Sequence, residues 1–116
     1  MRRMILLMTV AAMVVASALG GVVVSAAGAP QHPTKKVLIK NFRFSPAKIT
    51  IERGTRILWI NKDTSPHTAT ANNGRSFDSG RLGSGQRFSH TFKRAGKKPY
   101  HCEIHPHMKG RITVRR

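Results

Sequence analysis

The single cysteine of this chain, Cys102, sits in a run dense in metal donors: His101-Cys102-Glu103-Ile104-His105-Pro106-His107-Met108. A thiolate, an imidazole and a thioether at the spacing Cys-x2-His-x2-Met share one tight loop. Cys102, His105 and Met108 can therefore face one centre if the loop folds over the end of a β-structure. His67 stands alone far upstream and would complete the set from a neighbouring strand end. Two nitrogens and a thiolate in a plane, with a weak sulfur above it, match copper held for one-electron transfer. Thiolate and thioether stabilise Cu(I), imidazoles stabilise Cu(II), and a rigid compromise geometry reduces reorganisation on redox change. The set leaves no evident open position for a substrate.

Such a loop needs strands to hold it, and from Val37 onward the apolar residues fall on alternate positions. The pairs are Val37/Ile39, Phe42/Phe44, Ile49/Ile51, Ile57/Trp59, Phe88/Phe92, Tyr100/Cys102 and Ile112/Val114. Between them lie turn-forming stretches: Ser45-Pro46, Arg53-Gly54, Asn61-Lys62-Asp63, Asn72-Asn73-Gly74, Gly80 to Gly85 and Ala95-Gly96. Seven or eight short strands spaced in this way predict an all-β, antiparallel Greek-key β-sandwich over residues 37–116. Leu58 and Ile60 make both faces of the Trp59 strand apolar, which suits a central, well-covered strand. Trp59 and the phenylalanines are assigned to the core.

A chain of 116 residues is one domain at most. Its first thirty residues hold two of the 21 Lys+Arg and none of the four acids, which leaves 19 bases against 4 acids, a formal +15. A body of about 90 residues buries only roughly two-thirds of its unfolded surface, so large multi-domain enzymes are excluded. One cysteine provides no internal disulfide framework. Arg2-Arg3 followed by the apolar run Met4–Leu19 and the small residues Ser25-Ala26-Ala27 reads as a signal peptide over 1–27, with a linker over 28–36. The protein is then exported, periplasmic or extracellular. The competing reading is an uncleaved membrane anchor through residues 4–29, long enough to cross a hydrocarbon core of about 30 Å. A twin-arginine reading lacks a Ser or Thr before the pair.

Residues 37–116 resemble the cupredoxins, in the amicyanin and plastocyanin branch. The resemblance is carried by Asn41-Phe42-Arg43-Phe44-Ser45-Pro46, Trp59-Ile60-Asn61, Pro66-His67-Thr68, Phe77-Asp78-Ser79, Tyr100-His101-Cys102, His105-Pro106, Met108 and Gly110. The Cys-x2-His-x2-Met spacing is similar to the short amicyanin loop. The resemblance implies a type 1 copper protein with one Cu(I)/Cu(II) ion, held by His67, Cys102, His105 and Met108, that carries single electrons outside the cytoplasm. Three features depart from the pattern. Thr68 stands where many relatives carry an Asn that ties the His strand to the Cys loop, and a Thr hydroxyl offers a similar tether of shorter reach. His107 occupies a loop position often held by Phe. The surface is far more basic than an acidic plastocyanin's.

Several alternatives remain open from the residues alone. Cys102 with His67, His105 and His107 would satisfy tetrahedral zinc. Met108 could fill the core at the start of the last strand, and His107, a second possible donor beside it, is read as facing solvent because Pro106 restricts the backbone next to His105. His101, His32 and His90 are read as bystanders. No Ser-His-Asp constellation and no extra His-x-His pair is present, which argues against a hydrolase or a multicopper oxidase. The same ligand set could serve extracytoplasmic copper delivery or buffering instead of electron transfer. As a monomeric carrier, the protein would dock through an apolar rim of Pro66, Ile104 and Pro106 around His105, on a redox partner with an acidic face. Its charge could also associate it with an anionic membrane or cell wall. No groove motif or aromatic platform supports dedicated nucleic-acid binding.

Overall fold

In a computed structural model that describes residues 32–116, the alternating segments form strands. The expected signal peptide and the anchor reading of residues 4–29 lie outside the described residues. The strands are β1 (Thr34–Ile39), β2 (Phe44–Ser45), β3 (Lys48–Glu52), β4 (Arg56–Asn61), β5 (Thr70–Ala71), β6 (Arg87–Thr91), β7 (Gly96–His101) and β8 (Lys109–Arg115). They make two four-stranded sheets, ordered β2-β1-β4-β6 and β3-β8-β7-β5. β1 starts at Thr34, inside the stretch expected as linker.

The expected all-β sandwich is present, and its pairing is mixed rather than purely antiparallel. β1 pairs β4 in parallel, Thr34 beside Arg56 and Ile39 beside Asn61. β3 pairs β8 in parallel, while the remaining pairs are antiparallel. The cause is connectivity. After β2 the chain crosses to the other sheet for β3 and returns for β4, so β1 and β4 run in the same direction.

β4 lies between β1 and β6, which explains its two apolar faces: Ile57 and Trp59 are fully buried and Ile60 nearly so. Trp59 centres the core. Its ring stacks on Phe77 at 5.2 Å and on Phe88 at 5.6 Å, and meets Tyr100 edge-on at 5.5 Å. Aromatic pairs of this kind add about 0.5–1.5 kcal/mol each beyond the area they bury. Tyr100 in turn rests on Phe44, ring centroids 4.6 Å apart. These contacts fix β7, and with it the strand end from which Cys102 projects.

Gly110 faces Tyr100 across the β7–β8 pair. A Cβ placed there would overlap the phenol ring. Gly110→Ala is therefore expected to destabilise the fold by about 1–3 kcal/mol, the usual cost of overpacking. Urea unfolding of the variant checks this, and a wild-type midpoint would contradict it.

Candidate metal centre

The centre is assembled from the end of β4 outward. Asn61, the last residue of β4, is fully buried and acts as a hub. Its Nδ2 donates to the carbonyls of Ser65 (3.0 Å) and Leu82 (2.9 Å), and its Oδ1 accepts from the Asp63 N–H (2.9 Å). This shapes the loop from Lys62 to Pro66. At its end, His67 exchanges both backbone hydrogen bonds with Leu82, at 3.0 and 2.8 Å.

His67 is fully buried and its Nε2 lies 2.8 Å from Asp63 Oδ2. A carboxylate can only accept, so Nε2 carries the proton and Nδ1 presents a lone pair. Pairing an imidazole with a carboxylate in this way fixes both tautomer and ring orientation in metal sites. Nδ1 faces Cys102 Sγ at 3.8 Å and His105 Nδ1 at 3.2 Å, and His105 Nδ1 is 3.8 Å from the same sulfur. A triangle of these sides has a circumradius of about 2.1 Å, within the ~2.0–2.3 Å of metal bonds to imidazole and thiolate. Both Nδ1 atoms and Sγ face that point, and each is a group able to donate a lone pair to a cation there. The geometry therefore fits a metal ion.

The Cys102 loop is held from within and from without. The Cys102 N–H donates to the Met108 carbonyl at 3.1 Å and the Met108 N–H to the His105 carbonyl at 2.9 Å, closing the loop on itself. Met108 is buried at 2% exposure, while His107 is exposed, its ring 6.3 Å from that of His105. From outside, Thr68 N–H donates to Cys102 Sγ (3.3 Å) and Thr68 Oγ1 accepts from the Glu103 N–H (2.8 Å). The Thr hydroxyl thus makes the tether expected of it. Its proton has one recipient: Thr68 Oγ1 lies 2.9 Å from Thr70 Oγ1, which donates onward to Asp78 Oδ1 at 3.0 Å.

His67, Cys102 and His105 form the His/Cys/acid cluster able to hold a metal among the described residues, and His107 is not in it. The tetrahedral zinc reading, which needed His107, loses its fourth donor. Two imidazoles and a buried thiolate, with a buried thioether on the same loop, fit a single copper ion. His101 hydrogen-bonds Asn72 and Glu103, and His90 packs against Phe77 and Phe92; neither belongs to the cluster.

Two residues at the site escaped the sequence reading. Asp63 accepts not only from His67 but also from the N–H groups of Asn41 (2.8 Å) and Phe42 (2.9 Å). Desolvation opposes its charge, yet the bonds from Phe42 and Asn41 and then His67 outweigh it and hold the carboxyl below its ordinary range. The available signal was its place four residues before His67. Phe42 was assigned to the core with the other phenylalanines, and this is corrected: it is 41% exposed. Asn41 and Phe42 adopt positive φ, 54° and 57°, which is uncommon for non-glycine residues and more so for bulky ones. The turn sets the Phe42 ring edge-on to both His67 (5.0 Å) and His105 (4.9 Å).

Partial burial, then repulsion from His67 and His107, lowers the His105 pKa against an opposing pull from Asp63, and burial alone lowers that of His90. In acid the unfolded chain then takes up these protons first. The metal-free protein is expected to lose stability as pH falls below about 6.5, until the folded-state values are passed. Denaturation midpoints across this range should show a shallower slope in His90→Phe/His105→Ala. A midpoint that does not move in the wild type would contradict the expectation.

The comparisons with known proteins agree with this geometry. The family model described as a cupredoxin-like domain matches residues 4–114. Amicyanin-alpha of Methylorubrum extorquens is 30% identical over 90 residues, 74% of this chain and 75% of that protein. Amicyanin of Paracoccus versutus is 28% identical over 80 residues, 66% of this chain, which spans only 61% of that relative's length. A solved purple cupredoxin from Nitrosopumilus maritimus superposes with a TM-score of 0.65 at 31% identity, covering 70% of this chain and 99% of its own. Agreement of family match, relatives and sandwich topology makes this chain a member of the cupredoxin-like family.

Proposed function

We propose that the protein is a type 1 copper protein that carries single electrons outside the cytoplasm. In this reading His67 and His105 bind through Nδ1, Cys102 through Sγ and Met108 through its thioether. The observation that carries it is the convergence of Nδ1, Nδ1 and Sγ on one point, at mutual distances of 3.2 and 3.8 Å. When bound, copper supplies a one-electron couple between Cu(I) and Cu(II). The protein holds the donors still: Asp63 fixes the His67 ring, Thr68 fixes the sulfur, and the loop's own hydrogen bonds seat Met108. Four protein donors leave no place for a substrate, which supports a carrier rather than an enzyme. Export follows from reading residues 1–27 as a signal peptide.

His105 is half-buried and is the route for the electron. Around it Pro66 and Ile104 are partly exposed, Pro106 is exposed, and Phe42 adds the largest apolar contact. Small apolar contacts of this kind suit short-lived redox encounters. Exposed Lys40, Arg43, Lys62 and Lys109 ring the same end and favour a partner with an acidic face. Lys97 and Lys98 lie at or near the start of β7 and do not flank the site.

Loading with Cu(II) tests the assignment. One copper per chain, with an intense visible thiolate band and a type 1 EPR signal, is the expected result. Met108→Leu should keep the copper and the band but raise the potential, because a thioether would be the weakest of the four donors, while His107→Ala should change neither. The reverse pattern would make His107 the ligand. Rapid electron self-exchange is expected of a carrier, and slow exchange with easy copper loss would favour copper buffering.

A further inference from the structure

We infer that the end of the sandwich opposite the metal centre is a docking surface for an anionic phospholipid membrane, which it meets with the metal loop turned outward. Strand direction decides which residues share that end. Thr34 lies beside Arg56, Arg56 beside Thr91, and Glu52 beside Arg115. Backbone hydrogen bonds from Arg53 N to the Arg115 carbonyl (3.1 Å) and from Gly54 N to the Phe92 carbonyl (2.7 Å) knit strand ends and turns together. This gathers the exposed side chains of Arg53, Arg56, Lys93, Arg94, Lys97 and Arg116.

Acidic side chains are distributed the other way. Glu52 is the one at this end among the described residues, and Arg115 holds it at 2.5 Å. The Asp63 carboxylate hydrogen-bonds His67, the Glu103 carboxylate meets His101 beside Cys102, and Asp78 bridges Thr70, which pairs with His101 at the far end of β7. Along β7, Lys97 is roughly 17 Å from Cys102 at strand spacing, about two Debye lengths at physiological salt. The basic end therefore acts on whatever lies against it, not on a partner docked at His105.

Two observations favour lipid over a polynucleotide. The cations come from several turns and strand ends spread over one end face, and the aromatic ring nearest them, Phe92, is buried at 3% exposure, so no stacking platform is offered to bases. Beside this end, a cleft of about 340 Å³ lined by Ser76, His90, Phe92, Lys93, Arg94 and Lys98 offers a hydroxyl and three cations to a headgroup phosphate.

The test uses the metal-free full chain, so its outcome does not depend on the copper reading. Co-sedimentation is measured with vesicles of phosphatidylcholine, alone or mixed with phosphatidylglycerol. The variant Lys93→Glu/Arg94→Glu/Lys97→Glu is compared with a charge-matched variant at the metal end, Lys40→Glu/Lys62→Glu/Arg87→Glu. Residues 1–31 are the same in every sample, so the difference reads the basic end. The first variant should lower partition onto anionic vesicles about tenfold or more at ~0.1 M salt, and the second less than about threefold. Glutamine replacements of the first three should give an intermediate loss, and high salt should close the gap. Equal losses from the two ends, or none from the first, would overturn the inference. Stronger binding of the wild type to duplex DNA than to anionic vesicles at the same salt would also overturn it.

Discussion

Cys102→Ser should give a folded protein without the intense visible band. The sulfur is fully buried and accepts from the Thr68 N–H at 3.3 Å, a bond that a serine oxygen can largely keep. Cys102 belongs to the same buried core as Trp59 and Tyr100, but serine is close to it in size, so circular dichroism should be nearly unchanged. What disappears is the thiolate, and with it thiolate-to-copper charge transfer. Cu(I) affinity should fall by more than the ~10–100-fold typical of losing a supporting partner, because a first ligand is gone and a hydroxyl is a poor substitute for soft copper. Titration with Cu(II) and Cu(I), followed by absorbance, measures both effects. A retained band would end the copper–thiolate assignment.

The second large effect is expected at Asp63. Asp63→Ala removes the acceptor of three donors at once: the N–H groups of Asn41 and Phe42, and His67 Nε2. Copper affinity should fall ~10–100-fold through loss of ring orientation, and stability by about 1.5–3 kcal/mol, the usual worth of hydrogen bonds to a charged group. Asp63→Asn keeps one acceptor oxygen and should fall between. The folded carboxyl titrates below its ordinary value, so its stabilisation is complete above about pH 4 and is lost as pH falls through the folded value. The stability gap between wild type and Asp63→Ala should close in the same range. Wild-type copper affinity and stability in Asp63→Ala would refute the role.

The paired behaviour of Asp63 shows where sequence reading stops. Strands such as Ile57-Leu58-Trp59 are legible because alternation is local: each side chain's face follows from its neighbours'. The Cys102 loop is legible for the same reason, since Cys102, His105 and Met108 are brought together by covalent closeness. Phe42 was misread because it falls on an alternating pattern. The acceptor that closes its left-handed turn lies 21 residues away in sequence. No propensity reports that distance. β5, only Thr70–Ala71, is too short for any period to show, and the parallel pairing of β1 with β4 leaves no local mark because it depends on where the chain crosses between sheets.

The Thr68–Thr70–Asp78 hydroxyl chain bears on how this protein can change over generations. Its hydrogens all run one way, from the Glu103 amide to the Asp78 carboxylate, because that carboxylate can only accept. The seat of the loop is thus specified by residues outside the loop. Exposed side chains such as Pro106 and His107 are free to drift, altering the surface a partner meets without moving Cys102. The three seat residues lack that freedom: a valine at Thr68 or Thr70 breaks the chain, and only a joint replacement restores it. Variation in this lineage should accumulate inside the loop, with the threonine pair and its carboxylate inherited as one unit.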